Sequence, residues 1–261
     1  MRLCVFASGS SGNCALLSSG NTHLLLDAGI SFRRIKENLA LSGLRPEALA
    51  AVLITHEHAD HIAGLATMLK QCGVLVYAPS AAARSLRRSI PGAEGRVLDI
   101  PADAPLRFGD LTAHAFQTPH DADGSVGWRI TDGRDCFALA TDMGHVTEEI
   151  RAGLLGADTV LIEANHDLDM LRFGPYPVAL KRRILSDFGH LSNDGCAALA
   201  AFLAQGGTKR IVLGHLSREN NTPAAALRTV RAALTGRDTE VYAAPAAERF
   251  TLEWEASPCS V

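Results

Sequence analysis

Short apolar runs bounded by Gly, Ser and Asn open the chain. RLCVFA (2–7) and CALLSS (14–19) flank the loop SGSSGN (8–13), and THLLLDAG (22–29) follows a Gly20–Asn21 turn, so three strands are predicted. The apolar period then lengthens. Ile30, Ile35, Leu39 and Leu41 predict a helix that stops near Gly43, followed by a short helix from Pro46. AAVLIT (50–55) reads as a buried strand, and Ile62, Leu65, Ala66 and Leu69 return to helical spacing. VLVYA (74–78) is a further strand, and the Ala/Arg run at 80–89 a further helix.

From about 96 to 141 the pattern is β-rich: RVLDI, LRFGDLTAHAFQT, SVGWRIT and DCFALATD alternate with Gly/Asp turns. A helix near 146–155, the strand TVLIEA (159–164), helices near 177–187 and 193–205, the strand RIVLGH (210–215) and a helix from Pro223 follow. Strands near 240–244 and 249–255 close the pattern. A β-rich then mixed order, run through twice, predicts an α/β protein with two stacked sheets and helices outside, a four-layer αββα sandwich. No Pro/Ser-rich linker or low-complexity tract divides the chain, so one domain over 1–261 is expected.

Composition narrows the class. A hydrophobic content of 47% over 261 residues is ample for a buried core. The net charge of −3 argues against indiscriminate binding to polyanions and leaves local basic patches open. Six cysteines (Cys4, Cys14, Cys72, Cys136, Cys196, Cys259) form no CxxC pair, which predicts free, mostly buried thiols in a reducing compartment. The apolar run of MRLCVFASGSSGN is too short for a signal-peptide core, and no stretch approaches a bilayer span, so no membrane association is expected and the cytoplasm is the expected location.

The chemistry concentrates in LITHEHADHIAG (53–64), which puts His56, His58, Asp60 and His61 within six consecutive positions. A fold selected only for stability would not crowd so many polar side chains behind an apolar run. Five apolar strands also end in ligand-type residues: Asp27, His56, His120, Asp142 and His215. A capping Asp or a surface His explains any one of them alone, but five together with the dense quartet predict a metal site. Alternate residues of an extended segment share a face, so His56 and His58 can clamp one ion, completed by His120. Asp60 and His61 open the following helix and can address a second ion, completed by His215, with Asp142 as a bridge. Imidazole and carboxylate suit Zn²⁺, Mn²⁺ or Fe²⁺. Two such ions about 3.5–4 Å apart can hold a bridging hydroxide and polarise an ester oxygen. Asp27 reads as a residue that orients a ligand rather than a ligand itself.

His56-x-His58-x-Asp60-His61, preceded by Asp27 and followed by His120, Asp142 and His215, resembles the metallo-β-lactamase fold superfamily across essentially the whole chain. The resemblance implies that fold and a dinuclear hydrolase site. A flavodiiron oxidoreductase would carry Glu in place of His58, so hydrolysis is the expected chemistry.

Further stretches bear on substrate. SGSSGN is a hairpin turn or an anion nest (Ser10, Asn13). DAGISFRR sets Arg33 and Arg34 beyond Asp27, and EANHD places Glu163, Asn165, His166 and Asp167 at a strand end, either as site residues or as a solvated loop. In GHLSND (189–194), Ser192 or Asn193 caps the next helix, while His190 is not needed for a cap; a helix N-terminus beside His, Ser and Asn suits a phosphate. His190 is a candidate proton donor to a leaving oxygen, joining Asp60 and Asp142 as the catalytic set. Arg172, Lys181, Arg182 and Arg183 either track a polyanion or form a solvated helix face.

SGSSGN, DAGISFRR, THEHADH, EANHD and GHLSN together resemble the YycJ/WalJ-type exonuclease branch of that superfamily. This implies phosphodiester hydrolysis, 5′→3′ on DNA ends; Ser10, Asn13, Asn165, His166, Ser192 and Asn193, from the stretches read above, are the candidate substrate contacts. No large insert of the β-CASP kind lies between Asp142 and His215. An acidic protein without a long basic track is expected to hold duplex weakly and to lose it steeply with salt. The rival readings are a thioester, lactone or cyclic-nucleotide hydrolase using the same metals, and a non-catalytic scaffold that keeps the fold.

Overall fold

The computed structural model describes residues 1–101 and 104–254. Cys259 and position 255 of the last expected strand lie outside them. The strands are β1 (Arg2–Ala7), β2 (Cys14–Ser19), β3 (Thr22–Leu26), β4 (Ala51–Leu53), β5 (Val76–Ala78), β6 (Val97–Asp99) and β7 (Leu106–Phe108). They continue as β8 (Leu111–Gln117), β9 (Val126–Thr131), β10 (Cys136–Ala140), β11 (Thr159–Glu163), β12 (Arg210–Gly214), β13 (Glu240–Ala243) and β14 (Phe250–Glu253). They form two seven-stranded sheets, ordered β14-β1-β2-β3-β4-β5-β6 and β13-β12-β11-β10-β9-β8-β7. The two closing strands, adjacent in sequence, therefore part: β13 extends one sheet beside β12, and β14 edges the other against β1.

The helices are α1 (Phe32–Leu41), α2 (Ala59–Ile62), α3 (Leu65–Gln71), α4 (Ser80–Ser89), α5 (Glu148–Leu154), α6 (Leu168–Phe173), α7 (Val178–Ile184), α8 (Asn193–Gln205) and α9 (Pro223–Ala233). Side chains of Ser31, Thr147, Asp167, Ser192 and Thr222 accept N-terminal amides of α1, α5, α6, α8 and α9, satisfying donors the helix itself cannot. The EANHD stretch is buried apart from Asp167 rather than a solvated loop, and Asp167 starts α6, a helix that the apolar pattern does not predict.

Three apolar layers hold the sandwich. Phe32, Ile35, Leu39, Met68 and Leu86 pack helices on the first sheet, and Ile150, Leu154, Leu199, Leu203 and Val230 pack helices on the second. Leu3, Leu17, Leu24, Trp128, Phe137 and Val212 fill the space between the sheets. The fold is the four-layer αββα sandwich that the element order predicts. Truncating Trp128, which is fully buried, to Ala would cost about 3–5 kcal/mol.

Topology gathers the strand ends. β3 and β4 pair in parallel, as do β10, β11 and β12. β8 pairs antiparallel to β9, which pairs antiparallel to β10, so β8 runs the same way as β10. The residues following β3, β4, β8, β10 and β12 thus emerge at one rim.

Candidate metal centre

Among the described residues, three non-glycines have left-handed backbone: Asp27 (φ 57), Asp142 (φ 57) and His215 (φ 54). Each follows a strand directly or by two residues, and each conformation costs on the order of 1–3 kcal/mol, a strain found where surrounding structure and function over-determine it. The sharp turn swings the side chain out of the pleat and toward the rim. The loop carrying His56, His58 and α2 is threaded close beneath. A Cβ on Gly29 would run into the Asp60 carbonyl, so only glycine lets the two segments meet.

The predicted donors come together. His56, His58 and His120 form one cluster; Asp60, His61 and His215 form another; Asp142 joins His56 and His61 on one side and His215, Glu163 and His190 on the other. Within each cluster one nitrogen or oxygen per residue lies within 4.8 Å of the rest. His58 Nδ1 is 3.3 Å from His120 Nε2, and His61 Nε2 is 3.3 Å from Asp142 Oδ2. Asp60 Oδ2 is 3.5 Å from both His61 Nε2 and His215 Nε2. Ligands about 2.0–2.1 Å from a tetrahedral ion lie roughly 3.3–3.4 Å from one another, the spacing these pairs approach. Nε2 of His56, Nε2 of His215 and Oδ2 of Asp142 are buried without a hydrogen-bond partner. Such orphans are costly unless something binds them, so the donor set fits divalent cations.

Hydrogen bonds from behind fix which ring nitrogen faces inward. Asp27 Oδ2 lies 2.8 Å from His61 Nδ1 and also takes the Thr55 hydroxyl, while Asp27 Oδ1 takes the Thr55 amide at 2.8 Å. His120 Nδ1 donates to the Gly189 carbonyl at 3.2 Å. Glu163, fully buried at the end of β11, sets Oε1 2.8 Å from Nδ1 of both His215 and His190, while Oε2 accepts the Met143 and Leu191 amides. EANHD already sets Glu163 at a strand end; what the sequence does not tell is that it holds two imidazoles from behind. Asp121 is unforeseen, with Oδ1 3.4 Å from His120 Nε2 and Oδ2 2.6 Å from the Arg183 guanidinium.

Burial opposes charge on His61, yet Asp27 and Asp142 push its pKa up to about 10. Burial would raise Asp142, but His215, His61 and His56 hold it well below the usual carboxylate range. Glu163, also opposed by burial, is brought down to about 2 by His190 and His215. His56 is held well below the ordinary imidazole value, chiefly by burial.

A cavity of about 250 Å³ opens onto the donors, lined also by Ser10, Asn165, Tyr176, Arg183, His190 and Ser217. Of the expected contacts, Ser10 and Asn165 line this cavity and the others do not. Asn13 is buried, its amide 3.2 Å from Asp60 Oδ2 and 3.0 Å from His61 Nε2, so it buttresses the donors. Asn165 lines the cavity while its Nδ2 holds the His215 carbonyl. Ser192 caps α8, and Asn193 is buried in an amide pair with Asn221. His166 lines a separate cavity. Of the basic residues, Arg33 pairs with Glu37, Arg34 reaches the Ala247 carbonyl, Lys181 binds two carbonyls and Arg172 lies near Asp169; Arg183 alone of these lines the donor cavity.

Comparison with known proteins places this architecture. The sequence model of the Beta-lactamase superfamily domain matches residues 22–216. The chain is 40% identical over 223 residues to "Exodeoxyribonuclease WalJ" of Streptococcus pneumoniae, covering 83% of this chain and 82% of that protein. It is 34% identical over 225 residues to "Exodeoxyribonuclease YycJ" of Bacillus anthracis, covering 83% of each. The metallo-beta-lactamase fold protein YhfI of Bacillus subtilis superposes with a TM-score of 0.76 at 20% identity, over 97% of this chain and 99% of that one, a likeness of fold. With the matched model spanning most of the chain and the two curated relatives aligned over most of their length, this chain belongs to the beta-lactamase superfamily, alongside the WalJ/YycJ proteins.

Proposed function

We propose that this protein is a metal-dependent phosphodiester hydrolase acting as a 5′→3′ exonuclease on DNA ends. The observation that carries the reading is the complete two-lobed donor cluster, with Asp142 between the lobes and an open cavity above it. The names of the WalJ and YycJ relatives support DNA as the substrate. His56, His58 and His120 would hold one ion, Asp60, His61 and His215 a second, with Asp142 touching both and Asp27 orienting His61. Zinc or manganese is the expected metal, with iron(II) also compatible with the donors. Ions bound there supply Lewis-acid polarisation of a phosphoryl oxygen and lower the pKa of water.

The chain's own residues do the rest. His190 is 23% exposed at the cavity wall, and although burial opposes its charge, Glu163 raises its pKa. Its place at the cavity wall and the direction of that shift suit it to the role of proton donor. A water oxygen bonds to phosphorus as the P–O3′ bond breaks; the His190 proton goes to O3′, while the attacking water keeps one proton on the new phosphate and gives the other to solvent. Asp60 and Asp142 place negative charge among the imidazoles, with Asp142 reaching both lobes. Ser10, Asn165 and Ser217 offer hydrogen bonds to the strand's backbone. The free buried Cys4, Cys14, Cys72, Cys136 and Cys196 support a reducing compartment, for which we take the cytoplasm. No described helix is long and apolar enough to cross a membrane.

Incubating Mn²⁺- or Zn²⁺-loaded protein with 5′-phosphorylated linear DNA, circular DNA and RNA tests the proposal. Release of mononucleotides from linear DNA is expected; no phosphodiester cleavage with both sites filled overturns it.

A further inference from the structure

The donor cavity, about 250 Å³, falls below the roughly 300–1,000 Å³ of ordinary small-ligand pockets, so a polymer cleaved there has to continue over the surface beside it. Residues 168–188 offer such a surface. Tyr176, Leu180, Arg183 and Ile184, from α7 and the turn before it, line the donor cavity, while Leu168 and Leu185 line a second cavity of about 390 Å³. His190 borders both cavities.

This segment is apolar where solvent meets it. Among the described residues eight large apolar side chains are exposed, and five of them lie here: Leu168, Phe173, Val178, Leu185 and Phe188. Of the chain's nine phenylalanines only Phe173 (79%) and Phe188 (57%) are exposed. Apolar side chains scattered singly over a surface are ordinary, whereas a group of them marks an interaction site. Phe188 is also held at the donor rim: its carbonyl accepts the Asp121 amide at 3.1 Å, and the next carbonyl, of Gly189, accepts from His120. Lys181 donates to the Arg172 and Gly174 carbonyls, both at 2.8 Å, which ties the turn after α6 to α7.

Charge says what covers this surface. The segment carries Arg172, Lys181, Arg182 and Arg183 against Asp169 and Asp187, in a chain of net charge −3. Arg182 is exposed, with no ion-pair or hydrogen-bond partner among the described residues, and shares a face of α7 with Val178 and with Leu185 just beyond it. A second copy of this chain packed two-fold on the same surface would bring like charges together, whereas a nucleic acid brings phosphates to the cations. Exposed phenyl rings add a demand for flat partners, and bases along a strand offer their faces only when unpaired.

We propose that residues 168–188 are the platform that carries a single-stranded stretch of the DNA substrate into the donor cavity, with bases stacked on Phe173 and Phe188 and phosphates paired with Arg182 and Arg183. The assignment rests on the nuclease reading and deepens it: the strand is unpaired where it approaches the donors. Arg183 is the inner contact, since it lines the donor cavity with Asp121 against its guanidinium, and Arg182 is the outer one.

The test titrates metal-loaded wild type, the double variant Phe173→Ala/Phe188→Ala, and Arg182→Ala with fluorescein-labelled oligothymidine, read by anisotropy over a range of salt. A phosphorothioate backbone keeps the probe from being cleaved. Leu41→Ala, at an exposed apolar residue outside the segment, is the control and is expected to bind as wild type. The double variant is expected to bind at least tenfold more weakly at every salt concentration. Arg182→Ala is expected to lower the slope of log affinity against log salt by about 0.7, the share of one phosphate contact on a single strand. Both segment variants are expected to hydrolyse bis(p-nitrophenyl) phosphate, a diester too short to need the platform, at the wild-type rate. A wild type that holds no oligothymidine, segment variants that bind as wild type, or an equal loss in Leu41→Ala overturns the platform, and cleavage of DNA by that same wild type leaves the nuclease standing. Oligothymidine binding lost in the segment variants, in a wild type that cleaves no phosphodiester, keeps the platform and removes the nuclease. A wild-type dimer that the phenylalanine substitutions dissociate, with oligothymidine binding intact, overturns the proposal and assigns the surface to a second copy.

Discussion

Glu163 Oε1 accepts the Nδ1 hydrogen of His215 at 2.8 Å, which leaves the opposite nitrogen of that ring bare and 3.5 Å from Asp60 Oδ2. A carboxylate behind an imidazole fixes its tautomer and raises its basicity, and losing such a partner typically costs 10–100-fold in metal affinity. Glu163 also anchors His190 and two backbone amides, so it ties the donor rim to the α8 loop. Glu163→Gln keeps the shape and loses the charge. We expect it to weaken metal retention 10–100-fold, read by competition with a chromogenic chelator, with the fold intact by circular dichroism.

His190 stands outside the two triads of donors and faces the cavity. His190→Ala should therefore leave metal content at the wild-type level while lowering kcat on DNA about 10²–10⁴-fold, the range for removing a positioned proton donor. Metal analysis beside steady-state kinetics separates the two effects. An equal loss of metal and activity would assign His190 to the ligand set instead.

How much of this was legible in the chain follows from the physics of each signal. The donors at Asp27, His56, His120, Asp142 and His215 stand at the ends of apolar runs, and strands that run the same way within each of the two sheets bring such ends to one rim, so local pattern and topology agree. Helices α4 and α8 match the pattern at both ends, because Ser80 and Ser192 meet clear apolar periods. Strand β4 is shorter than its apolar run, since Ile54 and Thr55 already belong to the turn that carries His56. Asn13 and Asn193 read as substrate contacts because amides suit phosphates, but their burial against Asp60, His61 and Asn221 depends on segments 28 to 48 residues away. Glu163 stands at a strand end in EANHD, but its reach to both His190 and His215 depends on β11 lying between β10 and β12.

His166 makes stability depend on pH. Burial lowers its folded pKa from the ordinary 6.5 to about 4. The unfolded chain thus binds a proton between pH 6.5 and 4 that the folded one refuses, so stability is full above pH 6.5 and falls as pH drops toward 4. The loss attributable to this ring is on the order of 3 kcal/mol. Urea denaturation of metal-stripped protein at pH 7 and pH 4.5 should show a drop smaller in His166→Phe by about that amount; parallel curves would contradict the burial argument.

Gly29 tests the close approach beneath the site. Gly29→Ala forces its new methyl against the Asp60 carbonyl and should cost about 1–3 kcal/mol of stability. It should also weaken metal binding, because Asp60 and His61 sit on the displaced segment. Thermal melts with and without added metal report both effects.

The central claim is that two cations are gripped jointly by imidazoles and carboxylates from distant parts of the chain. Elemental analysis of purified protein combined with anomalous diffraction tests it most directly. The account predicts two ions per chain, one on His56, His58 and His120, the other on Asp60, His61 and His215, with Asp142 reaching both. Protein that binds no divalent ion under saturating conditions, or ions that leave Asp142 and His215 untouched, would contradict it.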